Sequence, residues 1–217
     1  MKYSYLALGD SYTIGEGVTE TDSFPSQTVR LLNTATEGFN STPFSTKRQQ
    51  GFDNPLVIAK TGWTIDELDK AIDTSVLVKT FDMVSLLIGV NNQYRNRSLK
   101  EFAIEFEHLV QRAIQFAGNI PAHVFVLSIP DWGITPFAGG RDRTKIAAEI
   151  NAFNHTCEAT AIKFHTNYID ITTAQRETGT DPEFLAGDGL HPSGKEYSIW
   201  AKHLADAVKK ILNNEYN

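Results

Sequence analysis

The stretch Tyr3-Ser4-Tyr5-Leu6-Ala7-Leu8-Gly9-Asp10-Ser11 decides how this chain is read. A largely apolar run, Tyr3 to Leu8, passes without a break into a small polar turn. That is the pattern of a strand buried on both faces that hands over to a helix. Working outward, the same kind of run recurs at Leu56 to Ala59, Met83 to Ile88, His123 to Ile129 and Asn167 to Ile171, each bounded by turn or breaker residues. Helical patterns separate the runs. Thr64 followed by Glu67 forms a capping box ahead of Ile65, Leu68 and Ile72, and Ser98 with Glu101 does the same ahead of a stripe of Phe102, Phe106, Leu109, Ala113 and Phe116. A long pattern covers Arg141 to about Lys163, and a last one runs from Ser193 to about Leu212 with Tyr197, Trp200, Leu204 and Val208 on one face. Strands alternating with helices predict a three-layer α/β/α sandwich around a five-stranded parallel sheet, with the flavodoxin-like order 2-1-3-4-5.

At 217 residues the chain suits a single domain spanning 1–217, and no repeat, low-complexity segment or linker divides it. Hydrophobic residues at 41% and charged residues at 21% are ordinary globular usage. A net charge of −6 argues against a nucleic-acid partner, whose phosphates need Lys and Arg, and the Lys47-Arg48 pair reads as a solvated loop. That pair lies in Asn40 to Asn54, a polar stretch expected to be a surface loop. The single cysteine, Cys157, cannot form an internal disulfide and falls in a helical pattern, where a buried structural thiol is expected. The N-terminal apolar run lacks the layout of a secretory signal, and no run approaches the roughly 20 residues that span a bilayer. The expectation is a cytoplasmic protein without stable membrane insertion; oligomeric state is left open.

In a doubly wound parallel sheet, ligands bind beyond the carboxyl ends of the strands, near the point where strand order reverses. The turns that follow the first three strands are Gly9-Asp10-Ser11, Thr61-Gly62-Trp63 and Gly89-Val90-Asn91-Asn92. A serine at a strand end and helix start presents its hydroxyl at the sheet edge, among free backbone N–H donors. Close to the C-terminus, Asp188-Gly189-Leu190-His191-Pro192 sets an acid three residues before a histidine. One turn brings both side chains to one side, so that the acid holds one imidazole nitrogen and leaves the other to take a serine proton. Each segment alone also has a plain use as a turn.

Together, in this order, the segments resemble the SGNH hydrolases, also called the GDSL lipase and esterase family, over nearly the whole chain. Leu8-Gly9-Asp10-Ser11-Tyr12 matches the nucleophile block, Gly62 the second, Gly89-Val90-Asn91 the third, and Asp188-Gly189-Leu190-His191-Pro192 the last. The resemblance implies that Ser11 attacks an acyl ester, that His191 is its base and that Asp188 orients the histidine. It further implies an oxyanion hole made of the Ser11 N–H, the Gly62 N–H and the Asn91 side-chain amide. One departure stands out: many family members read Gly-x-Asn-Asp in the third block, where this chain has Asn92. Asp10 is read as a brace for its loop and not as the catalytic acid.

The apolar loop Ile129 to Phe137 follows the fourth strand at the same end of the sheet. Trp132 and Phe137 from that loop, and Trp63 beside Gly62, are expected walls of a substrate pocket. Rival chemistries find no footing. No G-x-G-x-x-G or phosphate loop follows the first strand, no G-x-S-x-G elbow occurs, and His108, His123, His155, His165 and His203 lack metal-ligand spacing. The resemblance therefore implies an esterase without cofactor or metal, acting on a small-molecule, glycan or lipid ester through an acyl-serine intermediate. Acyl transfer to another alcohol uses the same residues and is the nearest alternative; a non-catalytic ligand-binding α/β domain is the alternative of another class.

Overall fold

The computed structural model describes residues 2–37, 51–75, 77 and 80–215. Five strands, β1 (Tyr5–Gly9), β2 (Leu56–Ala59), β3 (Met83–Leu87), β4 (Val124–Leu127) and β5 (Asn167–Ile169), form one parallel sheet in the order β2-β1-β3-β4-β5. All four neighbour pairings are parallel and are therefore made across crossovers, as parallel strands require. β1, β3 and β4 are buried along their whole length, which is why they read as largely apolar runs.

The helices are α1 (Ser11–Ile14), α2 (Phe24–Glu37), α3 (Ile65–Thr74), α4 (Val90–Tyr94), α5 (Leu99–Phe116), α6 (Arg143–Lys163), α7 (Thr172–Thr178) and α8 (Gly194–Glu215). The chain leaves β1 towards β2 in one direction and returns past β1 to β3, β4 and β5 in the other. Right-handed crossovers then place the two sets of helices on opposite faces. Accordingly α2 packs on α8, while α5 packs on α3 and α6. Phe102, Phe106, Leu109 and Ala113 of α5, and Tyr197, Trp200, Leu204 and Val208 of α8, are buried as their spacing predicts. Thr64 donates its N–H to Glu67 Oε2 at 2.8 Å, so the first turn of α3 is capped as expected.

Several boundaries differ from the sequence reading, each for a local reason. β1 begins at Tyr5 because Tyr3 joins only an isolated bridge to Phe52. β4 starts one residue late, since Pro121–His123 forms a 3-10 turn. β5 stops at Ile169 because Asp170 Oδ1 accepts the N–H groups of Thr172 and Thr173 and starts α7, a helix that the reading did not contain. Nor did it contain α2, whose buried stripe of Phe24, Thr28, Val29 and Leu32 is broken by a threonine that bonds back to the Phe24 carbonyl. Of the polar stretch Asn40 to Asn54, Asn40 to Gln50 lies outside the described residues. Cys157 is fully buried in α6, and desolvation pushes its thiol well above the usual range. Among the described residues, no helix is long and apolar enough to cross a membrane.

Candidate active site

The carboxyl ends of β1, β2 and β3 lie side by side around the point where strand order reverses, and the three turns named above meet there. Asp10 caps α1: its Oδ1 accepts the Tyr12 N–H at 3.1 Å, which fixes the turn and leaves Ser11 as the first helical residue. The Ser11 side chain is almost enclosed, with 4% of the residue exposed. Its N–H belongs to a first turn, where backbone donors lack intrahelical partners.

From the far end of the chain, the loop before α8 carries His191 to the same place. His191 Nε2 stands 2.9 Å from Ser11 Oγ, and His191 Nδ1 stands 2.6 Å from Asp188 Oδ2. Asp188 Oδ1 accepts two backbone N–H groups, from Leu190 at 2.9 Å and from His191 at 3.0 Å. Partial burial works to raise the Asp188 carboxyl, but the hydrogen bonds from His191 and from these amides outweigh it and hold the group below its ordinary value. A carboxylate facing Nδ1 keeps the proton on that nitrogen and leaves Nε2 to accept from the serine. The Tyr12 ring, 5.1 Å from the imidazole centroid, backs the histidine.

The donors expected to meet an oxyanion sit opposite. Lys60 to Trp63 form a turn closed by the Trp63 N–H on the Lys60 carbonyl at 3.2 Å, with Gly62 at φ 84°. That angle is unfavourable for a residue with a Cβ, so glycine is needed there for the turn as well as for close approach of a substrate. Gly89, at φ 127°, opens α4, and a Cβ on it would come within 2.7 Å of Phe102 and Ile129. Asn91, one residue into α4, donates its Nδ2 to the Trp63 carbonyl at 3.0 Å and, over a longer 3.4 Å, to Asp10 Oδ2. Asp10 is wholly buried; desolvation pushes its carboxyl up to about 7 against the pull of its hydrogen bonds.

A cavity of about 150 Å³ opens over this arrangement, with Ser11, Gly62, Asn91 and His191 at its floor. Its walls are Tyr94, Trp132, Phe137 and Leu190. Trp132 is held by its indole N–H on Gln93 Oε1 at 2.7 Å, and Phe137 remains exposed. Trp63 corrects the reading: it does not line the cavity. Its half-buried ring packs on the hydrophobic core, where an indole loses more water contact than it would over an open cleft, and the turn offers the site its carbonyl instead. Tyr94 takes the wall position that Trp63 was expected to fill. Sequence reasoning missed it, although Tyr94 lies three residues beyond Asn91 on a helix and so on the same face. Leu190, between Asp188 and His191, was missed in the same way. Among the described residues, no group of three or more His, Cys, Asp or Glu is placed to hold a metal ion.

A parallel sheet in this order, with a serine, a histidine and an acid linked at its carboxyl edge, is the framework of the SGNH-type ester hydrolases. The family model described as the GDSL-like Lipase/Acylhydrolase family matches residues 7–199, and the chain belongs to that family of hydrolases. No curated protein matches it by sequence. Among solved structures, it is similar to a lipase/acylhydrolase from Enterococcus faecalis, with 21% identity, a TM-score of 0.68 and 97% and 96% of the two chains covered. It is also similar to an acetylxylan esterase from Geobacillus stearothermophilus (18% identity, TM-score 0.70, 95% and 94% covered). A psychrotrophic esterase from Pseudoalteromonas sp. is a third such structure (16% identity, TM-score 0.63, 98% and 100% covered). At these identities the likeness carries the fold.

Proposed function

We propose that the protein hydrolyses short-chain acyl esters through an acyl-serine intermediate. Ser11 Oγ attacks the ester carbonyl while His191 Nε2 takes its proton, and Asp188 steadies the resulting imidazolium. The oxyanion forms among the N–H groups of Ser11 and Gly62 and the Asn91 amide. The protonated His191 passes its proton to the departing alcohol; water, activated by the same nitrogen, then attacks the acyl-serine and frees the acid. The observation that carries this reading is the unbroken chain of 2.9 Å from Ser11 Oγ to His191 Nε2 and 2.6 Å from His191 Nδ1 to Asp188 Oδ2.

The acyl length follows from space. The part of the cleft that the walls enclose, about 150 Å³ and mostly apolar, has roughly the bulk of benzene, which suits acetyl and other short acyl groups, whereas a fatty chain would extend into its solvent-open mouth. An acetylated carbohydrate is then a fitting natural ester, and the structural likeness to acetylxylan esterases supports it. The test is a fluorophosphonate probe followed by mass mapping, together with rates on aryl esters of increasing acyl length. The adduct is expected on Ser11 alone, with rates falling beyond about four carbons. An adduct on another serine, or none, refutes the nucleophile; undiminished rates on octanoyl or longer esters refute the short-chain assignment.

A further inference from the structure

Three hydrogen bonds lace the Lys60–Trp63 turn and the start of α3 to α4. Asn91 Nδ2 donates to the Trp63 carbonyl at 3.0 Å, the Ile65 N–H donates to Asn92 Oδ1 at 3.1 Å, and Arg95 Nη2 donates to the Gly62 carbonyl at 2.6 Å. The last is the shortest of the three and the only one made by a charged donor, which roughly doubles the strength of such a bond. Arg95 is itself anchored twice. Its N–H closes the end of α4 on the Asn91 carbonyl at 3.0 Å, and its Nη1 pairs with Glu67 Oε2 at 3.3 Å. Glu67 in turn caps α3 through Thr64. One side chain thus spans from the helix that carries Asn91 to the backbone of Gly62.

From this geometry we infer that Arg95 is a positioning residue for the oxyanion hole, setting the separation of the Gly62 N–H from the Asn91 amide. The inference rests on the proposed serine esterase reading, in which both groups receive the oxyanion. Glycine has the widest φ/ψ freedom of any residue, so nothing in Gly62 itself keeps its turn in one conformation. A Cβ on Gly62 would find no backbone within 4 Å, only Arg95 Nη2 at 3.6 Å, so packing does not hold the turn from that side either. The turn's own bond from the Trp63 N–H to the Lys60 carbonyl and the Asn91 bond to the Trp63 carbonyl leave the Gly62 carbonyl itself untied; that restraint comes from the guanidinium, whose planar fork reaches the Gly62 carbonyl with one nitrogen and Glu67 with the other. Donors preorganised in this way spend no free energy on reorientation when the carbonyl oxygen becomes charged, so their misplacement appears in the transition state and not in substrate binding.

The experiment compares the wild type with Arg95→Ala, Arg95→Gln and Ser11→Ala on one aryl acetate. It also measures inhibition by an alkylboronic acid, whose tetrahedral adduct on the serine places an oxygen in the hole, and the Tm of each variant. Arg95→Ala is expected to lower kcat about tenfold to hundredfold with KM within about twofold, and to weaken the boronate by a similar factor. Arg95→Gln, which keeps an N–H donor for the Gly62 carbonyl, recovers part of the loss even if its Tm equals that of Arg95→Ala. An Arg95→Ala enzyme with wild-type kcat, or one whose loss lies in KM or Tm alone with boronate affinity intact, overturns the inference. If Arg95→Ala proves too unstable to assay, the Gln variant decides by the same comparison of kcat with boronate affinity. An active Ser11→Ala overturns the esterase reading instead, and so separates the two failures.

Discussion

Removing Asp188 should hurt the enzyme much less than removing His191, and the structure gives the reason. The Asp188 side chain is 41% exposed, against 8% for His191. When Asp188→Ala removes the carboxylate, water reaches Nδ1 and accepts its proton in place of Oδ2. What is lost is the fixed tautomer and the charge that stabilises the imidazolium, for which a loss of about 10³ to 10⁴ in kcat is expected, or about 4 to 5.5 kcal/mol. His191→Ala leaves Ser11 Oγ, 2.9 Å away, without its base in a nearly closed site, and a loss of about 10⁶, close to that of Ser11→Ala, is expected. The double mutant Ser11→Ala/His191→Ala should be no slower than either single one, because the two act as one unit. Asp188→Asn separates geometry from charge. Its carbonyl can still accept the N–H groups of Leu190 and His191, so Tm should hold, but its amide faces Nδ1 with a donor and favours the wrong tautomer, at a cost of about 10⁴. The assay is kcat/KM on an activated aryl acetate, with residual Ser11 reactivity followed by fluorophosphonate labelling. Near wild-type turnover by His191→Ala would refute the whole assignment, and equal losses for Asp188→Ala and His191→Ala would refute the ranking.

Asn91→Ala should lower kcat by about 10² to 10³ with little change in KM, as expected for a donor that acts on the transition state; a change confined to KM would make it a binding residue. Asp10 predicts the pH dependence of stability. Burial raises its folded-state value to about 7, above that of an unfolded chain, so the folded state binds the extra proton between about pH 4 and pH 7. Its contribution is therefore fully present below about pH 4 and is lost as pH rises through 7, by about 4 kcal/mol in all. Urea unfolding of the wild type and Asp10→Asn across that window should show the slope only in the wild type; parallel curves would exclude the raised carboxyl.

The sheet was legible because burial on both faces leaves mostly apolar residues in β1, β3 and β4, with Ser85 of β3 satisfied by the Tyr5 hydroxyl at 2.7 Å, and their turns fall where the chain must reverse. The linked Ser11, Asp188 and His191 were legible because each stands beside residues that force a turn. Where one side of an element carries a polar residue, the pattern failed. Thr28 breaks the stripe of α2 because its hydroxyl satisfies itself on the Phe24 carbonyl, a bond that periodicity does not register. Trp63 misled for a related reason: adjacency to Gly62 says nothing of direction, and an indole takes the core when the core is within reach. Arg95 left no signal, since an exposed arginine on a short helix reads the same whether its partner is a carboxylate or a backbone carbonyl.

Asn92 is the place where this chain parts from the familiar third block, and its surroundings explain how the block survives the change. The side chain is completely buried, and Oδ1 accepts the Ile65 N–H, tying α4 to the first turn of α3. An aspartate could make that bond with one oxygen. Its second oxygen would then occupy the position of Nδ2, which finds no hydrogen-bond partner among the described residues. A buried carboxylate with one oxygen unpartnered costs more than a buried amide with one N–H unpartnered, because only the first carries a charge out of water. Asparagine therefore keeps the anchor at the smaller cost of about 1 to 3 kcal/mol for the orphaned donor. The anchor adjoins Asn91, so Asn92 keeps α4 tied to α3 while Arg95 ties the end of α4 to the Gly62 carbonyl.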